Sequence, residues 1–200
     1  VYGAVETRWE AEHVPMSGVR PDVTTIEGGV APDELFRTLL CENRGWFCTD
    51  GITVRRRAFH RAGLFDEELR YAEDTSLYLR MAASCRLVPG SVEEPIAVRR
   101  RHAENVSTPG NPLWSEAICN CLSAVLSWAK QRDLGVEKVR LLRGRLLSVI
   151  LHSRLEGLGR LSRWGRVLRR MLCYSGVHPE LLGLLLLRAG RKAGRLVKGR

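Results

Sequence analysis

The stretch GLFDEELRYAEDTSLYLR, residues 63–80, carries the most specific pattern in this 200-residue chain. A first acidic pair, Asp66-Glu67, lies in a predicted turn, and a second, Glu73-Asp74, directly precedes apolar residues at helical spacing. Aspartate is a favoured N-cap, because its side chain accepts hydrogen bonds from the free N–H groups of the first helical turn. We therefore predict that Asp74 caps a helix over about 75–84, which places a carboxylate at the helix N-terminus.

A longer ordered set of residues surrounds this stretch. Its members are Trp46, ITVRR at 52–56, Phe59, Gly63, FDE at 65–67, Glu73-Asp74, Leu77, Arg80, Pro95-Ile96, Arg100 and His102. In order and spacing together, the set resembles the acceptor-side half of a glycosyltransferase of family 2, over residues 46–107. One departure is Arg99, which stands where an aromatic residue is common in that family.

The resemblance implies an α/β fold. Residues 1–108 would form part of a GT-A domain, a mixed sheet with helices, without its N-terminal donor-binding half. From Leu113 onward, apolar residues recur every three or four positions, which is typical of helices. Residues 109–200 are therefore predicted to form an all-α, arginine-rich C-terminal extension.

The resemblance also implies a reaction, the inverting transfer of a sugar from a nucleotide-sugar donor to a hydroxyl acceptor. The product would be a cell-surface polysaccharide or a glycolipid. Asp74 would be the general base that takes the acceptor proton, a role that contributes about 10²–10⁴-fold to such a step.

Other residues receive binding roles from the same resemblance. Acceptor-binding candidates are Glu73, Trp46, Thr49 and Asp50. For Glu73 an ordinary exposed acid or salt bridge is an equal alternative, and a lone tryptophan before a strand is usually part of the core. Donor-side candidates are Arg100 and His102, near the diphosphate, with His102 also a metal ligand in some members. For His102, a surface position in a basic run is the alternative.

One motif of the family is absent from the sequence. No Asp-x-Asp, the pair that holds a divalent ion against the donor diphosphate, occurs in the 200 residues. We expect a divalent cation (Mg or Mn) in the complete enzyme, none held firmly by this chain alone. Since the chain opens on the strand-like VYGAV, we also expect a fragment that is inactive by itself.

The net charge of +10 is unevenly distributed. Residues 110–200 contain 18 Lys and Arg against 5 Asp and Glu, so the first 109 residues are slightly acidic. The basic helices could contact an anionic membrane, where each basic residue contributes about 1 kcal/mol, although a solvated helix face is the simpler interpretation. With scattered cysteines and no signal peptide, we expect a cytoplasmic protein, with the inner face of the cell membrane as a further location.

Two other function classes compete with the enzyme. A nucleic-acid-binding module would explain the sequence pI of about 9.9, but the charge lies outside the motif region, so nucleic acid is not the favoured partner. A non-catalytic scaffold would explain the missing Asp-x-Asp.

The local patterns predict individual elements. Strands are expected at 1–6, 86–88 and 95–100, extended chain with a turn at Asp50-Gly51 over 46–54, and loops at 10–30 and 102–112. A helix should open at 32–34 and bury Leu35, Leu39 and Leu40, and a second should run from 56 to 62 and close at Gly63. Asp66 should bind turn backbone, and Arg80 should pair with a nearby acid.

Overall fold

The structure is a computed structural model that describes residues 1–9, 22–26, 28–42, 44–46, 48–101, 112–152 and 160–185. Within these residues the protein is mixed α/β, with a small sheet followed in the chain by long helices. The predicted α/β class is confirmed at this level. The predicted linker at 102–112 falls almost entirely outside the described residues.

The sheet has three strands in the order β2-β1-β3. Strand β1 (Ala4–Trp9) pairs antiparallel with β2 (Asp22–Thr24) and parallel with β3 (Pro95–Arg101). The prediction of β3 is confirmed, whereas β1 begins three residues later than expected. Residues 22–24 were predicted as loop, and this was wrong because Val5 and Thr24 are paired across the sheet.

Three helices accompany the sheet in the first half of the chain. They are α1 (Leu35–Cys41), α2 (Arg56–Ala62) and α3 (Glu73–Ser84), and a short 3-10 turn, Thr49–Gly51, precedes α2. The bounds of α2 and the buried stripe of α1 match the prediction. Residues 86–88 do not form the predicted strand, and only an isolated bridge joins Pro89 to Tyr2.

Three further helices follow: α4 (Pro112–Gln131), α5 (Val136–His152) and α6 (Arg160–Val177). Residues 180–185 are also helical. The described residues after 111 are thus mainly helical, as their apolar spacing predicted.

The helical segment packs directly on the α/β segment. Helix α4 contacts α3, and α5 contacts α1. Lys138 of α5 donates a hydrogen bond of 2.6 Å from Nζ to the carbonyl oxygen of Ala83, in the last turn of α3. Buried residues of both segments, from Tyr2 to Leu181, belong to one hydrophobic cluster, so a continuous core supports the candidate site.

Candidate functional site

The N-terminus of α3 places the predicted base. The helix begins at Glu73, and Ala72 before it has a left-handed backbone with φ of 60°. Since Ser76 N–H already binds the carbonyl of Ala72 at 3.0 Å, helical bonding starts two residues earlier than predicted. Asp74 is therefore not the N-cap. It lies inside the first turn, where its carboxylate still complements the helix dipole.

The Asp74 carboxylate is half-buried and held in place by its neighbour. Its Oδ1 accepts hydrogen bonds from the backbone N–H of Thr75 at 2.5 Å and from Thr75 Oγ1 at 3.2 Å. Among the residues that the structure describes, Oδ2 has no hydrogen bond. One carboxylate oxygen is thus fixed, and the second remains for another partner. Glu73, also half-buried, is the first residue of the same helix.

Tyr78 lies one helical turn after Asp74, on the same side of α3. Burial raises the pKa of Tyr78 to about 12, although the nearby Thr49 side chain opposes the rise. The negative charges of Asp74 and Asp50 raise this pKa further. Thr49 and Asp50, both predicted acceptor residues, and Asp74, the predicted base, thus lie near the same phenol.

The 3-10 turn that carries Thr49 and Asp50 is anchored to strand β1. Gly3 N–H donates to the carbonyl of Gly51 at 2.8 Å. A Cβ atom at Gly51 would lie 2.7 Å from both Gly3 O and a Val5 methyl group, so only glycine fits without a shift. The predicted turn at Asp50-Gly51 is confirmed, and its close approach to β1 sets the positions of Thr49 and Asp50.

Arg99 of β3 reaches the same turn from the sheet. Its Nη1 lies 3.9 Å from Cys48 Sγ, and its Nη2 lies 3.5 Å from Oγ1 of the buried Thr7. In the described part of the chain, the buried Nε of Arg99 has no hydrogen-bond partner. Two long contacts to uncharged groups leave this guanidinium with donors for an anion.

Arg100 points away from this group of residues. Side chains alternate along a strand, and Arg100 is exposed next to the exposed Arg8 in the parallel register. His102, the other donor-side candidate, lies outside the described residues. The cation at the turn is thus Arg99, which sequence reasoning had treated only as a departure from the family pattern.

Three other motif residues, Arg80, Gly63 and Asp66, stabilise the backbone between α2 and α3. Arg80 is 8% exposed and donates from Nη1 to the carbonyl of Ala62 at 2.8 Å and from Nη2 to that of Leu64 at 2.6 Å. The expected pairing with an acid is replaced by these carbonyl contacts at the end of α2. Gly63 has φ of +81°, and a Cβ there would lie 2.8 Å from Arg80 Nη1. Asp66 accepts a turn hydrogen bond from Glu68 N–H at 3.2 Å, as predicted.

Trp46 is half-buried and packs against the hydrophobic cluster. This position agrees with the alternative that a lone tryptophan before a strand belongs to the core.

A cavity of about 180 Å³ lies between residues 68–71 and helix α4. Leu69, Tyr71 and Leu113 supply apolar surface, while Glu68, Glu116 and Asn120 supply polar groups. Burial and the charge of Asp74 raise the pKa of Cys121, on α4, to about 12, so α4 passes close to the base. Ala117, which lines the cavity, is one helical turn or about 6 Å from Cys121 along α4.

The described residues contain no group of three or more His, Cys, Asp or Glu side chains able to hold a metal ion. The expected divalent cation therefore stays a prediction, and no step is assigned to it. In the same described part, no helix is long and apolar enough to cross a membrane.

Comparisons of the chain with protein-family models, with curated proteins and with solved structures gave no match. The resemblance described above thus depends on its motif residues, and the function must be argued from the geometry around Asp74.

Proposed function

We propose that this chain carries the acceptor side of an inverting family 2 glycosyltransferase, which moves a sugar from a nucleotide-sugar donor to a hydroxyl acceptor. A polysaccharide or glycolipid of the cell surface is the product class that we favour. One observation carries the proposal: Asp74 lies in the first turn of α3 with Oδ1 held by Thr75. Thr49 and Asp50, more than twenty residues earlier in the sequence, lie near Tyr78, one turn further along the same helix. The motif resemblance had assigned these positions to one site.

In the proposed reaction, Asp74 acts as the general base. The acceptor hydroxyl gives its proton to Oδ2 of Asp74 while its oxygen attacks the anomeric carbon. The bond from that carbon to the nucleoside diphosphate breaks, and the diphosphate leaves with the bonding electrons. Because Thr75 holds Oδ1, the carboxylate keeps one orientation during this step.

The negative charge of the leaving diphosphate needs a cation, and Arg99 is the one that the turn contacts. Arginine binds phosphate oxygens with parallel N–H donors, and Nε of Arg99 has no hydrogen-bond partner among the described residues. The earlier expectation named Arg100, whose side chain lies on the opposite face of β3.

The cavity between residues 68–71 and α4 is our candidate for the acceptor-sugar site. An aromatic ring with carboxylates and an amide suits a sugar, which presents C–H groups on its faces and hydroxyl groups at its edge. Tyr71 is the ring, and Glu68, Glu116 and Asn120 are the polar partners. Its small volume, below the ~300 Å³ of typical drug-sized pockets, suits a single sugar ring.

The test is Asp74→Asn in the full-length gene product, assayed with nucleotide-sugar donors. The amide cannot take the proton, so we expect kcat to fall by about 10²–10⁴-fold while donor affinity stays within about twofold. Asp33→Asn, at an exposed carboxylate before α1, is the matched control and should retain wild-type turnover. Wild-type turnover by Asp74→Asn would remove the proposed base.

The missing Asp-x-Asp favours one alternative, a non-catalytic scaffold that keeps the acceptor-side fold. The two proposals differ in what accompanies Val1 in the gene. An upstream reading frame that encodes a donor-binding half with Asp-x-Asp supports the transferase, whereas a full-length product that binds no nucleotide sugar supports the scaffold.

A further inference from the structure

The solvent-facing side of α2 consists of basic residues. The side chains of this helix are all described, and its exposed residues are Arg56, Arg57, His60 and Arg61. They are spaced as two i, i+4 pairs, so they lie on one side of the helix. Arg55, which directly precedes the helix, is exposed as well. We call these residues, from Arg55 to Arg61, the basic face of α2.

Contacts on the other side of α2 fix this orientation. Phe59 packs against the hydrophobic cluster, and Ala62 is fully buried. The carbonyl oxygen of Ala58 lies 3.8 Å from Cys85 Sγ, and that of Ala62 accepts the hydrogen bond from Arg80 described above. The helix cannot rotate to bury its arginines without losing these contacts.

The charges of the basic face are not balanced within the described part of the chain. No ion pair among the described residues involves any of its side chains. Residues 51–65 contain no Asp or Glu. Arg57 and Arg61 are like charges at i and i+4, which destabilise a helix, and arginines in the first turn oppose the helix dipole. An anionic partner would offset both effects, so this face is complementary to negative charge.

Two exposed apolar side chains come directly after the helix. Leu64 is 69% exposed and Phe65 is 47% exposed, and they follow Gly63, the C-cap of α2. The carbonyl oxygen of Leu64 is held by Arg80 at 2.6 Å, so the pair extends from a fixed backbone. The surface at residues 55–65 thus combines positive charge with apolar groups.

This combination selects a lipid bilayer among anionic partners. A bilayer presents phosphates at its surface and hydrocarbon directly below them, and basic side chains next to Leu and Phe are typical of segments that bind such an interface. A nucleic acid would neutralise the arginines but would leave Leu64 exposed to water. The exposed acids Glu67 and Glu68 come next in the chain, so the attractive surface is limited to residues 55–65.

We propose that the basic face of α2, together with Leu64 and Phe65, docks on an anionic lipid bilayer. The arginines contact the lipid phosphates, and the two apolar side chains enter the boundary between headgroups and acyl chains. Helix α2 contacts Arg80 and Cys85, in the second half of α3 and just after it, whereas Asp74 lies in the first turn of α3. The docking surface is thus separate from the Asp74 carboxylate, and the inference is independent of the proposed sugar transfer.

Co-sedimentation of the full 200-residue chain with vesicles tests the proposal. We expect binding to vesicles of phosphatidylcholine with phosphatidylglycerol, weaker binding at higher salt, and much weaker binding to phosphatidylcholine alone. Arg57→Glu/Arg61→Glu should lower the partition coefficient on the anionic vesicles by at least about tenfold, since it reverses two charges of the basic face. Both side chains are exposed, so circular dichroism should show an unchanged fold.

Arg140→Glu/Arg145→Glu is the matched control, because it makes the same change of net charge at two exposed arginines of α5. This variant should bind anionic vesicles within about twofold of the wild type. A second test variant, Leu64→Ser/Phe65→Ser, keeps every charge and removes the apolar contact. It should also lower the partition coefficient by at least about tenfold.

Three outcomes would overturn the proposal. The first is an equal loss of binding in the α2 and α5 charge variants, which would show that only the net charge matters. The second is wild-type binding by Leu64→Ser/Phe65→Ser. The third is retention of a single-stranded oligonucleotide that Arg57→Glu/Arg61→Glu abolishes while vesicle binding stays unchanged, which would assign the basic face to nucleic acid instead.

Discussion

At the scale of single residues, the candidate site consists of Asp74, the proposed base, and the 3-10 turn that carries Thr49 and Asp50. Asp74 and Tyr78 share one side of α3, and the Thr49 side chain lies near the Tyr78 phenol. Burial and nearby negative charge both favour the neutral phenol, so Tyr78 is a hydrogen-bond donor at physiological pH. A neutral donor beside an acidic pair can orient an acceptor hydroxyl without competing for its proton.

Tyr78 gives a prediction at alkaline pH. Its pKa is raised from 10.0 to about 12 in the folded protein, so the unfolded chain loses this proton first as pH rises. The contribution of Tyr78 to the free energy of unfolding should therefore be constant below pH 10 and decrease between pH 10 and about pH 12. Urea unfolding across this range should show that the free energy of unfolding decreases less steeply with pH for Tyr78→Phe than for the wild type. The difference in slope should correspond to at most one proton.

The buried thiols of Cys119 and Cys121, with pKa values raised to about 11 and about 12, titrate in the same range. The difference between the wild type and Tyr78→Phe isolates the tyrosine. Identical slopes for the two proteins would show that the phenol is not shielded from solvent.

At the scale of elements, the link between α2 and α3 depends on one guanidinium. Arg80 connects the last turn of α2 and the following residue to α3 through the carbonyls of Ala62 and Leu64. Gly63 leaves the space that this side chain needs. Some motif residues around Asp74 are thus proposed to take part in the reaction, whereas others hold the backbone in place. Arg80 is one of those that hold the backbone.

Arg80→Met should destabilise the fold by about 2–4 kcal/mol, because it leaves buried carbonyl groups without a donor. Urea unfolding monitored by circular dichroism measures the change. Arg86→Met, at an exposed arginine shortly after α3, is the matched control and should stay within about 0.5 kcal/mol of the wild type. An equal effect of both substitutions would contradict the supporting role of Arg80.

The sequence predicted local elements better than their connections. Helix α2 was placed correctly because Gly63 ends it, whereas α3 was started too late because an aspartate imitates an N-cap. Thr49 and Asp50 were predicted as acceptor residues from their position in the motif, and these roles stay predictions. The place of Tyr78 in the candidate site depends on the approach of the 3-10 turn to α3. That of Arg99 depends on the parallel pairing of β3 with β1. Neither tertiary contact has a signal in the local sequence.

At the scale of the whole molecule, His178, the residue directly after α6, connects the end of α6 to α4. Its Nε2 lies 3.2 Å from the carbonyl oxygen of Ser123 and 3.0 Å from Ser123 Oγ, while its Nδ1 lies 3.1 Å from Lys130 Nζ. Lys130 of α4 and Arg143 of α5 both bind Oε1 of Glu180, at 2.5 and 2.9 Å. Since Lys130 donates to Nδ1, the proton of the neutral ring is on Nε2 and points to Ser123.

This arrangement predicts a loss of stability in acid. Burial and the charge of Lys130 lower the pKa of His178 below 6.5, so the unfolded chain binds a proton first as pH falls. Burial alone would raise the pKa of Glu180, but the hydrogen bond from Lys130 and the charges of Lys130 and Arg143 lower it. The free energy of unfolding should fall as pH drops below 6.5, and Glu180 should add to the loss below pH 4.5.

Thermal unfolding at a series of pH values checks this prediction. His178→Gln should flatten the profile between about pH 7 and about pH 5, because Gln has no proton to gain in this range. The exposed His60→Gln is the control and should retain the wild-type profile. A profile that His178→Gln leaves unchanged would exclude His178 as the group responsible.

The contact between Gly51 and strand β1 has a consequence for any attempt to redesign this protein. Residue 51 contacts no substrate in the proposed reaction. A methyl group at this position would nevertheless clash with Gly3 and Val5, and the shift that relieves the clash would move Thr49 and Asp50 relative to α3. In the proposed reaction, the spacing between the acceptor residues and Asp74 thus depends on the absence of a side chain where this turn meets the central strand.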